Sequence, residues 1–245
     1  MSLMTRTFIG WLFFMVAGVV SAAPKIQLDD LIEIIESDRS TLQKKIYNFG
    51  DMTAYVMTEV REVAFDDKGG EQTMAPSGVR ESGLHVSPPR FIIPPKGFKT
   101  DRVLYVGPRD KERYFRVRFY PVQPDEQDGF GLSQKEAKNY KEKITRSGFE
   151  LLYGYGVLYV LKPAVSFYKT QITTGQDKIC IVNGGNSTIL LRGVMECQIG
   201  TKDCGVPTDL YITPGITKSL PVKRGFQYQF SLHEGGRVTK KELPE

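Results

Sequence analysis

Residues 148–163 read GFELLYGYGVLYVLKP, and between Glu150 and Lys162 the run carries no charge. Phe149, Leu151, Tyr153, Tyr155, Val157, Tyr159 and Leu161 fill every second position, a strand period and not a helical one. At about 3.3 Å per residue the run would reach roughly 50 Å, against a usual strand of about five or six residues. The pattern therefore predicts one over-long apolar strand in mid-chain. Before it, AYVMTEVREV at 54–63, LHVS at 84–87, FII at 91–93, RVLYVG at 102–107 and YFRVRFY at 114–120 predict shorter strands. Pro88-Pro89 and Pro94-Pro95 interrupt them, because proline cannot donate to a ladder. After it come SFYKTQITT, DKICIVNGG, TILLRGVMEC, DLYITPG, TKSLPVK and FQYQFSLHEGGRV.

Two stretches are less regular. Residues 26–35 (IQLDDLIEII) fit a helical turn or an irregular first strand, and the all-strand context favours the strand. Residues 121–147 are dominated by Pro, Asp, Glu, Gln and Lys, and SQKEAKNYKEKI offers little to bury. They predict a long exposed loop carrying at most a marginal helix, with disorder open. Short strands at 8 to 12 residue spacing on both sides of Pro163, with Gly, Pro and Asn turns between them, predict an all-β chain of two immunoglobulin-like sandwiches. Lys162-Pro163 is the hinge: a first domain over 23–162 ends in the long strand 148–162, and a second covers 163–245. The Cys, Trp, Cys arrangement of antibody domains is missing, since Trp11 lies in the N-terminal segment.

That segment has a basic start with Arg6, an apolar stretch from Phe8 to Val20, and small residues at Ser21 and Ala22. It reads as a secretory signal peptide over 1–22, cleaved after Ala22; an uncleaved anchor would need a longer apolar span. No later segment is apolar enough to cross a membrane. Removing Arg6 from the 33 basic residues leaves 32 against 28 acidic ones. A net charge of +4 without Lys/Arg runs points away from nucleic acid. In an exported chain Cys197 and Cys204, which flank QIGTKD, are expected to form a local disulfide, and Cys180 in an apolar run to be a buried small side chain. A zinc site is the weaker alternative, because only His85 and His233 are available and neither is spaced against the cysteines. The same two histidines leave a hydrolase without a base near a nucleophile elbow, and Gly69-Gly70 and Gly184-Gly185 lack the Lys that follows a phosphate-binding loop. Paired carboxylates such as Asp29-Asp30 and Asp66-Asp67 read as solvated turns. Enzyme chemistry, metal and cofactor are therefore not expected.

The run LHVSPPRFIIPPKGFKTDRVLYVGPRDKERYFRVRFYPV, followed by a long loop and FELLYGYGVLYVLKP, resembles the periplasmic pilus-assembly chaperones of the PapD-like superfamily. ESDRSTLQKKIYN, ERYFRV, VNGGNSTILLRGVMEC with the following Cys204, and YITPGITKSL are similar to the divergent common-pilus (EcpB-like) branch. The resemblance spans nearly the whole chain after the leader. It implies two immunoglobulin-like domains in an L or boomerang shape, and a last first-domain strand lent to a pilin subunit that lacks its own. Backbone pairing would then give affinity and alternate side chains specificity. Phe149, Leu151 and Tyr153 would be the donated row, extended by Tyr155; the alternative leaves that row inside the chain's own sandwich, as expected for Val157 to Leu161. The resemblance further implies delivery to an outer-membrane usher, no membrane insertion, and a row that invites self-association when no client covers it. The competing reading is a pilus structural subunit or adhesin. Such a subunit should carry an N-terminal extension of alternating apolar residues, whereas Lys25 to Ile35 is short and broken by Asp29, Asp30 and Glu33.

The better-known branch of this family holds the client's C-terminal carboxylate with two basic residues, at places that here carry Ile32 and Leu158. Neither side chain can bind an anion, so the anchor must differ. Arg113, Arg116, Arg118, Lys162 and Lys169 are the basic residues near the expected site. Arg116 is the first choice because a guanidinium grips a carboxylate bidentately. Arg116 and Arg118 share a face opposite Phe115, Val117 and Phe119, and a solvated outer face is the competing fate for both. Lys162 is expected to pair with Glu112 between domains, worth about 1 kcal/mol or less if exposed. Ser87-Pro88 falls where relatives have a cis proline corner. Asn186-Ser187-Thr188 fits a glycosylation sequon but reads more simply as a turn.

Overall fold

The computed structural model describes residues 23–66, 70–74, 83–146 and 154–244. The leader, Phe149, Leu151 and Tyr153 lie outside them. In chain order the first half carries β1 (Ile26–Gln27), β2 (Ile32–Ile35), β3 (Thr41–Asn48), β4 (Ala54–Phe65), β5 (Glu71–Thr73), β6 (Gly83–Ser87), β7 (Arg90–Ile93), β8 (Phe98–Val106), β9 (Arg113–Val122), α1 (Gln134–Arg146) and β10 (Tyr155–Leu161). The second half carries β11 (Thr170–Thr174), β12 (Lys178–Asn183), β13 (Ile189–Gln198), β14 (Thr208–Ile212), β15 (Thr217–Pro221), β16 (Phe226–Glu234) and β17 (Arg237–Leu243).

The strands form two sandwiches. In the first, the sheet β1-β3-β8-β6 faces the sheet β2-β10-β9-β4-β5, with β7 also on β4; in the second, β11-β12-β15 faces β14-β13-β16-β17. Alternation explains the packing, because inward residues of facing sheets interdigitate. Val157, Tyr159 and Leu161 of β10 meet Phe115, Val117 and Phe119 of β9 and Ile46 of β3 in one core; Ile179, Ile181, Ile189, Leu191 and Ile212 centre the other. The segment 26–35 is two strands, β1 in one sheet and β2 in the other, because the polar Asp29-Asp30 step falls between them. Cys197 and Cys204 form a disulfide, and the Ser87–Pro88 peptide is cis. Cys180 is not a core residue: it lies half-buried on the outer side of β12, with Ser219 Oγ 3.7 Å from its sulfur.

The expected loop at 121–147 is corrected by α1. Ser133 caps it: Ser133 N and Oγ both donate to Glu136 Oε2, at 2.8 and 2.6 Å, while Glu136 N approaches Ser133 Oγ at 3.4 Å. This reciprocal box satisfies amide groups that a helix start leaves open. Ala137, Tyr140 and Ile144 then fall on one face. Tyr140 and Ile144 bury against Met52, with Tyr55 alongside, and the Tyr140 hydroxyl donates to Thr53 O at 2.6 Å. A composition that is polar overall concealed this single stripe.

A polar seam runs through the first core. Lys44 Nζ reaches Glu33 Oε1 at 2.5 Å and Asp30 O at 2.7 Å. Asp101, opposite Lys44 in the β3–β8 register, is fully buried, and neither of its carboxylate oxygens has a partner among the described residues. Burial pushes its pKa up to about 7, with Lys99 opposing. The folded state therefore holds a proton that an unfolded Asp releases above about pH 4. This group's contribution to stability is complete below that pH and is lost as pH rises through about 7. Asp101→Asn should raise the urea midpoint clearly at pH 8 and little at pH 4; an equal change at both would overturn the protonation assignment.

Candidate binding site

The site is built on β10 and the two strands beside it. β9 pairs with β10 along all of Tyr155–Leu161, whereas the parallel partner β2 covers only Leu158 to Leu161. On the β2 side, Tyr155, Gly156 and Val157 therefore have no strand partner among the described residues. Tyr155 lies opposite the buried Phe119 and packs against the first core. Phe149, Leu151 and Tyr153 have the same parity in sequence. The part of the row from Val157 onward is committed to the chain's own core, with Val157, Tyr159 and Leu161 essentially inaccessible.

The other face of this sheet carries a separate cluster. Leu158, Val160 and Val63 are buried there, with Ile32, Ile34, Phe65 and Tyr114 packed around them. Register places Ile32 beside Leu158, Leu158 beside Arg116, and Arg116 beside Arg61. The four residues make one row across four strands. The two places expected to lack an anchor are thus apolar neighbours, and the nearest cation stands one strand further on.

The five basic residues singled out in sequence have different fates. Arg116 lies across β10: Nη1 donates to Gly156 O at 3.1 Å, and a Cβ at Gly156 would sit 3.1 Å from Arg116 Cδ. Its Nε lies 3.2 and 3.3 Å from the two carboxylate oxygens of Glu71 on β5, and Nη2 also bonds Glu71. Arg118 shares its face but is half exposed, 3.7 Å from Glu59, which also holds Arg61. Arg113 points to the other side. There Nε and Nη2 clamp Glu62 at 2.7 and 2.6 Å and Nη1 donates to the Tyr105 hydroxyl, and these bonds push the guanidinium pKa further up. Its guanidinium is engaged by these partners and partly buried on the side of β9 opposite Arg116. Lys169 lines a groove of the second sandwich, with Arg237 and Lys241.

Lys162 and Glu112 meet at 3.3 Å with side chains only 3 % and 2 % exposed. The pair named from sequence is therefore buried and sits in a network, so the small value of an exposed pair does not apply. Glu112 accepts from Thr188 N, at 3.0 and 2.8 Å to its two oxygens, from Thr188 Oγ1, and from the Tyr114 hydroxyl at 2.6 Å. Lys162 donates to Thr188 O at 2.6 Å and lies 5.5 Å from the Tyr168 ring centre. Burial, reinforced by the Glu112 charge, raises the Tyr114 pKa. Thr188 belongs to the turn before β13, so this network joins the two sandwiches where β10 ends. Arg109 supports it by donating to Lys162 O at 2.9 Å and Glu36 O at 3.2 Å. Sequence reasoning named the ion pair but missed the part of Thr188 and Tyr114 in it, because the sequon at 186–188 and the strand alternation at 114–120 say nothing of Glu112. Among the described residues no group of three His, Cys, Asp or Glu side chains is placed to hold a metal ion.

No family model matches the chain. A curated relative, "Probable fimbrial chaperone EcpB" of Escherichia coli O1:K1 / APEC, is 24 % identical over 200 residues, covering 81 % of this chain and 82 % of its own. Among solved structures, the class 5 fimbriae chaperone CfaA superposes with a TM-score of 0.55 at 18 % identity, over 90 % of this chain and 100 % of that one. The Salmonella enterica SafA pilin in complex with the SafB chaperone gives 0.52 at 14 %, over 89 % and 95 %.

Removing one partner from a buried pair leaves an uncompensated charge, at a cost of about 3–5 kcal/mol. Glu112→Ala should lower stability by about that much, and Glu112→Ala with Lys162→Met by less. Urea unfolding of the single and double variants checks this; equal losses would mean the pair is not coupled. The two-sandwich fold is thus shared with solved fimbrial chaperones, and the sequence is similar to a probable fimbrial chaperone over most of both chains.

Proposed function

We propose that the chain works in the periplasm, binding pilin subunits by strand donation and handing them to an outer-membrane usher. The observation that carries this reading is the open edge of β10. Over Tyr155 to Val157 the strand is paired, among the described residues, on the β9 side alone, so its other side can add to a sheet that lacks a strand. Backbone pairing supplies affinity there, and the row Phe149, Leu151, Tyr153 and Tyr155 supplies the side chains that fill alternate pockets. Covering the client's open groove also removes an edge that would otherwise aggregate. No nucleotide enters this scheme, since the complex is held by burial and pairing alone.

Arg116 is the residue proposed to hold the client's terminal carboxylate. It stands next to Leu158 in the row where the family's usual anchor places are apolar, and its guanidinium is oriented by the Gly156 carbonyl. Arg118, beside it on the same face, is the secondary candidate, reached by a client strand running along β10.

Co-expression in the periplasm with the major pilin encoded beside the chain tests the scheme. Wild type should yield a soluble complex on co-purification, and Leu151→Asp none. Arg116→Ala should weaken the complex by roughly 30-fold, about 2 kcal/mol for the lost charge-assisted pair. A soluble complex with Leu151→Asp would remove the donor assignment and return the chain to the subunit or adhesin reading.

A further inference from the structure

The outer face around Arg116 holds more cation than anion. Arg116 faces Arg61 across the β4–β9 ladder and has Arg118 two residues on, against Glu59 and Glu71. Glu59 serves Arg61 and, loosely, Arg118. Glu71, among the described residues, serves Arg116 alone, through both carboxylate oxygens and from a different strand. The contact is accessible, with the two side chains 23 % and 30 % exposed. Glu71 also reaches Arg116 from the margin of the sheet: β5 is three residues long, all of them exposed. The Arg116 stem, by contrast, is held over Gly156, where any side chain would crowd it. One partner of the pair is thus built into the sheet and the other reaches in from its edge.

From this we propose that Glu71 is an internal occupant of the carboxylate seat on Arg116, displaced by the terminal carboxylate of a bound client and setting which anions can enter. The inference rests on the reading of Arg116 as that seat. An acidic side chain or free anion offers the guanidinium nothing that Glu71 does not already give, and Glu71 is tethered, so its effective concentration is high. Only a carboxylate at the end of a strand that also pairs with β10 brings the additional free energy needed to displace it. Glu71 therefore links reading of the chain end to strand addition, and rejects anions that come without a strand.

The test uses the full mature chain and the C-terminal strand peptide of the neighbouring pilin, made as free acid and as amide, with affinities from fluorescence anisotropy. Wild type should prefer the acid, and Arg116→Ala should abolish the preference. Glu71→Gln should raise affinity for the acid by about tenfold and leave the amide unchanged, which widens the acid-to-amide ratio. Glu71→Ala, which cannot hydrogen-bond the guanidinium, should do the same. If both Glu71 variants keep the wild-type ratio, or only lower the melting temperature, while Arg116→Ala still abolishes it, Glu71 is a structural brace and the proposal falls with the seat intact. If wild type and Arg116→Ala both bind acid and amide equally, the seat itself is wrong and the proposal falls with it.

Discussion

The buried contact of Glu112 and Lys162 with Thr188 is the constraint on which the rest of the arrangement depends. Lys162 follows the last residue of β10, and the next strand, β11 from Thr170, is in the second sandwich, so whatever holds Lys162 also sets where the exposed strand edge lies relative to that sandwich. A buried ion pair adds little net stability over an apolar contact of the same shape. It does require a particular geometry. Glu112 is satisfied only when the Thr188 amide and hydroxyl reach it, and Lys162 only when the Thr188 carbonyl does. A sliding or tilting of the sandwiches would leave a charge buried without partners, which is costly.

With that end fixed, β10 divides into two parts with different uses. Toward Lys162 it is covered on both sides, by β2 and β9, and its side chains complete the first core. Toward Tyr155 its β2 side has no strand partner among the described residues. The division follows from β2 starting at Ile32, after the break at Asp29-Asp30 that sends β1 to the opposite sheet. The charge pattern follows the same geometry. Ile32 and Leu158 join an apolar cluster with Val160, Ile34 and Tyr114, where an ammonium or guanidinium would have been desolvated, and the cation sits instead on β9.

Each sandwich also contains the same corner. Asn48 ends β3 and its amide donates to Met52 O and Ile93 O while its oxygen accepts from Gly50 N. Asn183 ends β12 and donates to Ser187 O and Ile212 O while accepting from Gly185 N. Both side chains are buried, and each replaces backbone partners that an irregular corner cannot supply by itself. The Asn-x-Gly spelling at 48–50 and 183–185 was visible in the sequence, but as turn chemistry only. Its role as a buried clasp requires Ile93 and Ile212, which come from distant strands.

Local period determined most of what the sequence revealed. The alternation through Val157, Tyr159 and Leu161 specified a strand and its buried face, and the capping box Ser133 to Glu136 with Ala137, Tyr140 and Ile144 specified α1 for a reader who looked past its polar composition. Both are signals carried by residues a few positions apart, where covalent geometry alone decides which side chains share a face. The tertiary structure decided which charges meet. Glu71 is 45 residues from Arg116, and Thr188 is 76 from Glu112. Register between strands that far apart depends on turn lengths and on every intervening pairing. The sequence could therefore name Arg116 and Glu112 as candidates, but only the folded sheet could show that one meets a carboxylate from β5, on the far side of β4, and the other holds the two sandwiches together.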